Sequence, residues 1–355
     1  MFYLLAVPMI GLSVACGGDD SSSTDSSSTV TLSAENLTED GYFDGLLYYQ
    51  IISNTSQEVV ISKAERKAMR VEIPKAVKID GTPYKCTRID DSAFRGCANL
   101  IYVSIPNSIV SIGKSAFYGC ENLNEVVIPN SVTSIGSYAF RGCSSLTEVT
   151  IPNSVTSIDD AFEGCSSLTE VTIPNSVTSI DGAFYGCTSL TNVVIPSSVT
   201  SINGAFIGCT SLTNVVIPSS VTSIGWAFSG CINLTNVVIP SSVTSIGNQA
   251  FYGCSSLAQI NIPNNIISIE ERAFYYCDGL TAVTIPDNVT YIGYDAFYGC
   301  NLTEIHCKNP VPPVTDGETF ANTVYSTATL YVPKGSLEAY KNAKEWGLFK
   351  NIVEE

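Results

Sequence analysis

The chain has 355 residues, 45% of them apolar and only 14% charged, so a large core can form. The formal net charge of −16 argues against nucleic acid or an anionic membrane surface as an electrostatic partner. A single histidine, His306, leaves little for general acid–base or nucleophilic catalysis.

The first element is an apolar run from Phe2 to Ala15, about the length of a signal-peptide core, broken by Pro8 and too short to span a membrane. It ends in Ser13-Val14-Ala15-Cys16, followed by Gly17-Gly18-Asp19-Asp20. Small residues directly before a cysteine resemble a bacterial lipobox, although Ser13 stands where leucine is usual. That resemblance implies that residues 1–16 are a lipoprotein signal ending in acylated Cys16. A cleaved secretory signal with an incidental cysteine is the alternative. Residues 17–30 are almost entirely Gly, Asp, Ser and Thr. Such a stretch cannot bury enough apolar surface to offset its ordering entropy, and it reads as a tether. Its acidic start resembles the signal that sends some lipoproteins to the outer face of the outer membrane. A cap is expected over residues 31–70, with Leu46 to Ile52 and Glu58 to Ile61 forming a hairpin.

A repeat follows. Ala-Phe-x-Gly-Cys or a close variant ends at Cys97, Cys120, Cys143, Cys165, Cys187, Cys209, Cys231, Cys254, Cys277 and Cys300, at intervals of 22 or 23 residues. One unit reads Cys143-Ser-Ser-Leu146-Thr-Glu-Val149-Thr-Ile151-Pro152-Asn-Ser-Val155-Thr-Ser-Ile158. Val149 and Ile151 alternate with polar residues, as in a half-buried strand. Pro152 ends that strand because it has no N–H to donate. Val155 and Ile158 turn inward again from a second short strand. Gly113, Gly136, Asp159, Asp181, Asn203 or Gly225 comes next, residue types that tolerate positive φ. Ala-Phe then falls on a helical turn. The 22-residue units lack one residue just before Ala-Phe, a loop deletion that leaves the core in register.

A period in the low twenties with Leu-x-x-Val-x-Ile is the leucine-rich-repeat signature. One unit cannot bury its own apolar face, but stacked units share a continuous core. The expected fold is therefore a repeat solenoid, a right-handed leucine-rich-repeat superhelix with a parallel β-sheet. It has about ten 22–23-residue coils over residues 71–307, all ten strands lying in one sheet. The closing cap, residues 308–355, should hold a last strand and a helix. From Val71 to Ile305 these units resemble the BspA-like leucine-rich-repeat family, surface proteins of anaerobic Gram-negative bacteria and some parasites. The segment Ala328-Thr-Leu-Tyr-Val-Pro-Lys-Gly-Ser-Leu-Glu-Ala-Tyr340 resembles the family's closing segment.

The ten repeat cysteines occupy one inward position per coil and read as buried free thiols, each packed as a small apolar side chain. Cys86 aligns with Ile109 and Val132, and Cys307 with Ile151, as core substitutions. A linear ladder does not converge on a metal, and no cofactor or metal site is expected. The pairs Asp90-Asp91, Asp159-Asp160 and Glu270-Glu271 read as solvated loop carboxylates. His306 falls in the outward column with Thr150 and Val194. No catalytic residue is expected.

Three surfaces are candidates for contact. Asn192, Val194, Asn214, Val216, Asn236 and Val238 form an outward ribbon, within a stretch from 182 to 269 that contains no Asp, Glu, Lys or Arg. It reads as a contact surface or as the relic of duplicated, nearly identical units. Tyr118, Tyr185, Tyr252, Tyr275 and Tyr298 follow the repeat phenylalanine, either as contact residues or as covers for the neighbouring coil. Nine of the seventeen basic residues, from Lys63 to Arg95, cluster at the amino-terminal cap, where an acidic ligand or ordinary solvation would suit them. A monomer, lipid-anchored through Cys16, is expected, and the family resemblance implies adhesion to host proteins or other cells. Capture of glycans or peptides for an uptake system, or a structural surface layer without a ligand, are the alternatives.

Overall fold

The computed structural model describes residues 29–355. Cys16, the leader and most of the tether lie outside the described residues. Val30, expected at the end of the tether, is already in a strand: Val30–Leu32 pairs parallel with Ala76–Ile79.

The expected hairpin is present, as Leu47–Ser53 antiparallel to Glu58–Ala64. It does more than cover the first coil. Glu58–Ala64 pairs parallel with Thr82–Ile89, which pairs with Ser111–Ile112, which pairs with Ser134–Ile135. The cap thus starts the second strand column of the solenoid, and its backbone donors feed straight into the repeats.

The first strand column has about thirteen turns rather than ten. Its inward residues run from Val71 through Val103, Val126 and Val149 to Val283, Ile305, Leu330 and Ile352. Arg70–Glu72 adds a rung before the repeats. Thr329–Val332 and Asn351–Glu354 add two after them, pairing parallel in sequence with Glu304–Cys307. Helices Asn322–Thr327 and Leu337–Asn342 flank Thr329–Val332. The expected last strand and helix are therefore followed by a further strand.

Pairing is parallel wherever this face is bonded, but the ladder is not one sheet. It divides into blocks of three, two, two and four strands. Most of its rungs are three residues long, and a proline follows most of them, so very few backbone bonds join neighbours and a slight rotation severs them. Residues 192–194 keep only a bridge, Thr172 to Val194. Residues 259–262 form no strand, and Ile260 is half-buried, as Ile352 is at the end of the column, while the other inward residues of that column are buried.

The core is a set of side-chain ladders. Eleven phenylalanine rings, Phe94 to Phe320, stack at 4.8 to 6.1 Å between centroids and within 17° of parallel. Ring pairs at this separation add to the area that they bury. Phe320 extends the repeat beyond Cys300, and its 23-residue spacing from Phe297 is visible in the sequence.

Two turn positions differ from expectation. Gly113, Gly136, Gly225, Asp159, Asp181 and Asn203 are not left-handed; the left-handed residue is the one directly before Ala-Phe. It is Ser115, Tyr138, Asp160, Gly182, Gly204 or Trp226 in those coils, at φ 53° to 62°. Glycine at 113 and 136 serves close approach instead. A Cβ there would lie 2.6 Å from a backbone nitrogen of the preceding coil. The Ala-Phe segment is not helix. Its turns close between residues three apart, and Phe117 N–H donates sideways to Ala139 of the next coil at 2.7 Å.

Candidate binding surface

Strand alternation turns the ribbon outward. Val215 and Val237 point into the core, while Val194, Val216 and Val238 are 74%, 65% and 50% exposed. Asn192, Asn214 and Asn236 are exposed beside them. Register places Asn214 opposite Asn236 and Val216 opposite Val238. The six expected ribbon residues therefore lie on one face in two files, one of carboxamides and one of apolar side chains. An exposed carboxamide offers two N–H donors and an acceptor oxygen, and Asn214 spends one N–H on the Thr213 hydroxyl at 3.0 Å. Nearer the amino terminus the same files hold Glu148 opposite Glu170, so the face turns from acidic to neutral along the solenoid.

At its far end the ribbon opens into a cleft of about 600 Å³ beside the unpaired residues 259–262. Asn236, Val238, Gln259, Asn261, Thr284 and Lys308 line it. Gln259 and Asn261 follow Asn236 and Val238 at the 23-residue period, but the cleft is not visible in the sequence, because nothing local in the motif shows where the ladder loses its bonds.

The tyrosine column divides. Tyr118 is half-buried between Arg95 and Arg141, whose guanidinium carbons lie 4.5 and 5.5 Å from its ring centre. Tyr185 is 45% exposed. Tyr252, Tyr275 and Tyr298 stack on one another at 5.1 and 5.6 Å, so these three cover their neighbours. Tyr276, which sequence reasoning passed over, holds the position that glycine fills in the nine other repeats. It keeps the left-handed backbone, at φ 55°, and its ring meets Tyr275 edge-on at 4.6 Å. Its signal was an aromatic in an otherwise all-glycine column.

The remaining candidates are structural ties. Asp159 Oδ1 accepts from Ser179 Oγ at 2.6 Å and from Asp181 N–H at 3.0 Å, joining two coils. Glu270 accepts from the Ser268 hydroxyl at 2.6 Å, and Asp91 accepts from Lys114 N–H at 2.7 Å. These are not free loop carboxylates. His306 lies in its outward column between Thr284 and Tyr331 and stacks on Tyr331 at 4.4 Å. At the basic cap, Lys63 pairs with Asp40, and Arg70 lies over Tyr102 at 4.4 Å. Among the described residues, no three His, Cys, Asp or Glu side chains converge as metal ligands. No helix among them is long and apolar enough to cross a membrane.

Each repeat cysteine is buried and free. From Cys120 onward the S–H donates to the phenylalanine carbonyl of the preceding coil, as from Cys120 to Phe94 and from Cys209 to Phe184, both at 3.1 Å, whereas Cys97 faces the Ala64 and Glu65 carbonyls at 4.0 and 3.9 Å. Burial pushes the Cys187 and Cys231 thiols up to about 12.

Comparison with known proteins agrees with this architecture. The sequence profile of the BspA type leucine rich repeat region, in six copies, matches residues 87–205 and 203–326. A leucine rich cell surface protein from Faecalibacterium prausnitzii is 29% identical, with a TM-score of 0.50, covering 88% of this chain and 94% of its own. A leucine-rich repeat protein from Bacteroides ovatus is 24% identical, with a TM-score of 0.47, over 88% of this chain and 99% of its own. The pneumococcal vaccine antigen PcpA shares the fold at 17% identity and a TM-score of 0.55, over 88% and 97%. A search of curated proteins returns no match. Proteins of this repeat family and fold are in general binding scaffolds rather than enzymes. The periodic core, the parallel rungs and the profile match lead to one conclusion: this chain belongs to the BspA-type leucine-rich-repeat family.

Proposed function

We propose that this protein is displayed on the cell surface, held to the outer membrane by acylated Cys16, and binds host proteins or other cells through its strand face. The observation that carries the reading is the run of Val194, Val216 and Val238, at least half exposed on consecutive rungs, in a stretch without a single charge. Solvent-exposed apolar files of this kind mark contact surfaces. The carboxamide file beside it supplies hydrogen bonds that a partner's backbone can meet. The name of the Faecalibacterium relative, a cell surface protein, supports the location.

A second reading, capture of glycans or peptides for uptake, draws on the cleft at the ribbon's end. Its carboxamides Asn236, Gln259 and Asn261 suit sugar hydroxyls as well as peptide groups. A binding screen of the full chain against matrix proteins and a glycan array separates the two. Adhesion predicts a protein hit that Val216→Glu weakens; capture predicts a glycan or short-peptide hit that Gln259→Ala weakens. Loss of neither with either variant would remove the strand face from consideration. Cys16→Ala should release the protein from membranes, and retention would defeat the anchor.

A further inference from the structure

The tyrosine ladder stops one ring short of the phenylalanine ladder. Phe320 stacks on Phe297 at 5.5 Å, but the residue after Phe320 is Ala321, where Tyr252, Tyr275 and Tyr298 stand in the preceding coils. A cavity of about 200 Å³ opens beside Tyr298, lined also by Glu318, Phe320, Asn322, Tyr325, Glu345 and Leu348. Glu345 is only 6% exposed. Its Oε2 accepts from Tyr325 Oη and Thr319 N–H, both at 3.3 Å. Its Oε1 takes no hydrogen bond from the described residues. No Lys, Arg or His of the described residues lies within ion-pair reach of Glu345 or of Glu318 on the rim. Burial and the neighbouring Glu345 push the Tyr325 phenol up, which keeps it a donor.

A buried carboxylate without a cation is costly, and this one faces a cavity walled by aromatic rings, which attract cations through their faces. We propose that the cavity binds an alkylammonium ion, as carried by a lysine side chain or a small free amine. One free carboxylate oxygen suits a point charge better than the two-pronged guanidinium. For a divalent metal, which asks for several converging carboxylates, the described residues bring no three His, Cys, Asp or Glu side chains together here. The site is separate from the strand face and stands independently of the function proposed there.

The test is ligand-observed NMR on the full chain with N-acetyl-lysine methylamide, n-butylamine and the neutral N-acetyl-norleucine methylamide. Saturable binding of the lysine probe is expected, with the norleucine probe weaker by about tenfold or more. Binding of n-butylamine at equal strength would assign the site to free amines, and weaker binding to a lysine within a chain. Glu345→Gln should weaken the lysine probe by about tenfold or more. Tyr298→Leu, at the more open wall, should weaken it too and guards against a folding defect in the first variant. Equal binding of the norleucine probe overturns the proposal. So does unchanged binding in both variants, or the lack of saturation up to about 50 mM, weaker than a preformed ion-pair site should be.

Discussion

At the scale of single residues, two glycines of one column that look alike in sequence do different work. Glycine at 136 answers a close approach, since its Cβ would meet Lys114 N at 2.6 Å. Glycine at 225 would meet only the end of the Asn203 side chain, at 3.1 Å, and that side chain can move. Gly136→Ala should therefore cost about 1–3 kcal/mol by overpacking, while Gly225→Ala should change stability by less than about 1 kcal/mol. Urea-melt midpoints of the two variants check this, and equal losses would restore a conformational explanation. The cysteines make a second residue-scale prediction. Burial raises Cys187 and Cys231 to about 12, against an ordinary thiol near ~8.5. Little thiolate is then present at pH 8, and the fold denies access. Iodoacetamide should leave the ten repeat thiols unmodified in the native chain and alkylate them all after denaturation without reductant. Recovery of a linked pair such as Cys187 and Cys209 by mass spectrometry would contradict the S–H to carbonyl bonding.

At the scale of the strand, alternation decides which substitutions are tolerated. Val215 is 2% exposed and Val216 is 65% exposed, although they are neighbours in one three-residue strand. Val215→Glu puts a charge among buried apolar side chains, which costs several kcal/mol at least (about 3 or more), and the surrounding coils should unfold. Val216→Glu should change stability by less than about 0.5 kcal/mol, since Glu148 and Glu170 already occupy the outward file beside it in earlier coils. Circular dichroism melts of the pair provide the check. A melt of Val216→Glu as low as that of Val215→Glu would mean that the ribbon is packed rather than presented. The alternation was legible in Asn-Val-Val-Ile, because period 2 is a property of the strand itself. The loss of pairing at 259–262 was not, because it depends on how adjacent coils rotate.

At the scale of the molecule, each coil touches only its neighbours, so the ends must be closed by something other than another repeat. The carboxyl end does this with an aromatic cluster: Phe320 meets Tyr325, Trp346 and Phe349 edge-on at 5.8, 5.7 and 5.5 Å. Trp346 is 1% exposed and its indole N–H donates to Pro313 at 2.9 Å. Trp346→Ala should cost about 3–5 kcal/mol. Because the solenoid is coupled through neighbours, hydrogen exchange should quicken from about residue 297 onward and stay unchanged between 100 and 200. A uniform increase along the chain would show that it melts as one unit.

The sequence by itself determined the repeat, its period, the inward columns of Leu, Val, Ile, Phe and Cys, and the outward files of the strand face. These follow from local periodicity, and every coil restates them. Tertiary structure alone decided the rest. The caps became rungs of the same solenoid, because Glu58–Ala64 and Asn351–Glu354 pair parallel with strands about one coil away although they lack the repeat motif. The left-handed position moved to the residue before Ala-Phe, because the backbone there must bond sideways to the next coil. Tyr276, Glu345 and the cavity beside Tyr298 arise where the repeat is broken or ends. At such places no neighbouring copy predicts the environment, and only the packing of distant segments sets which polar groups are buried and which remain open.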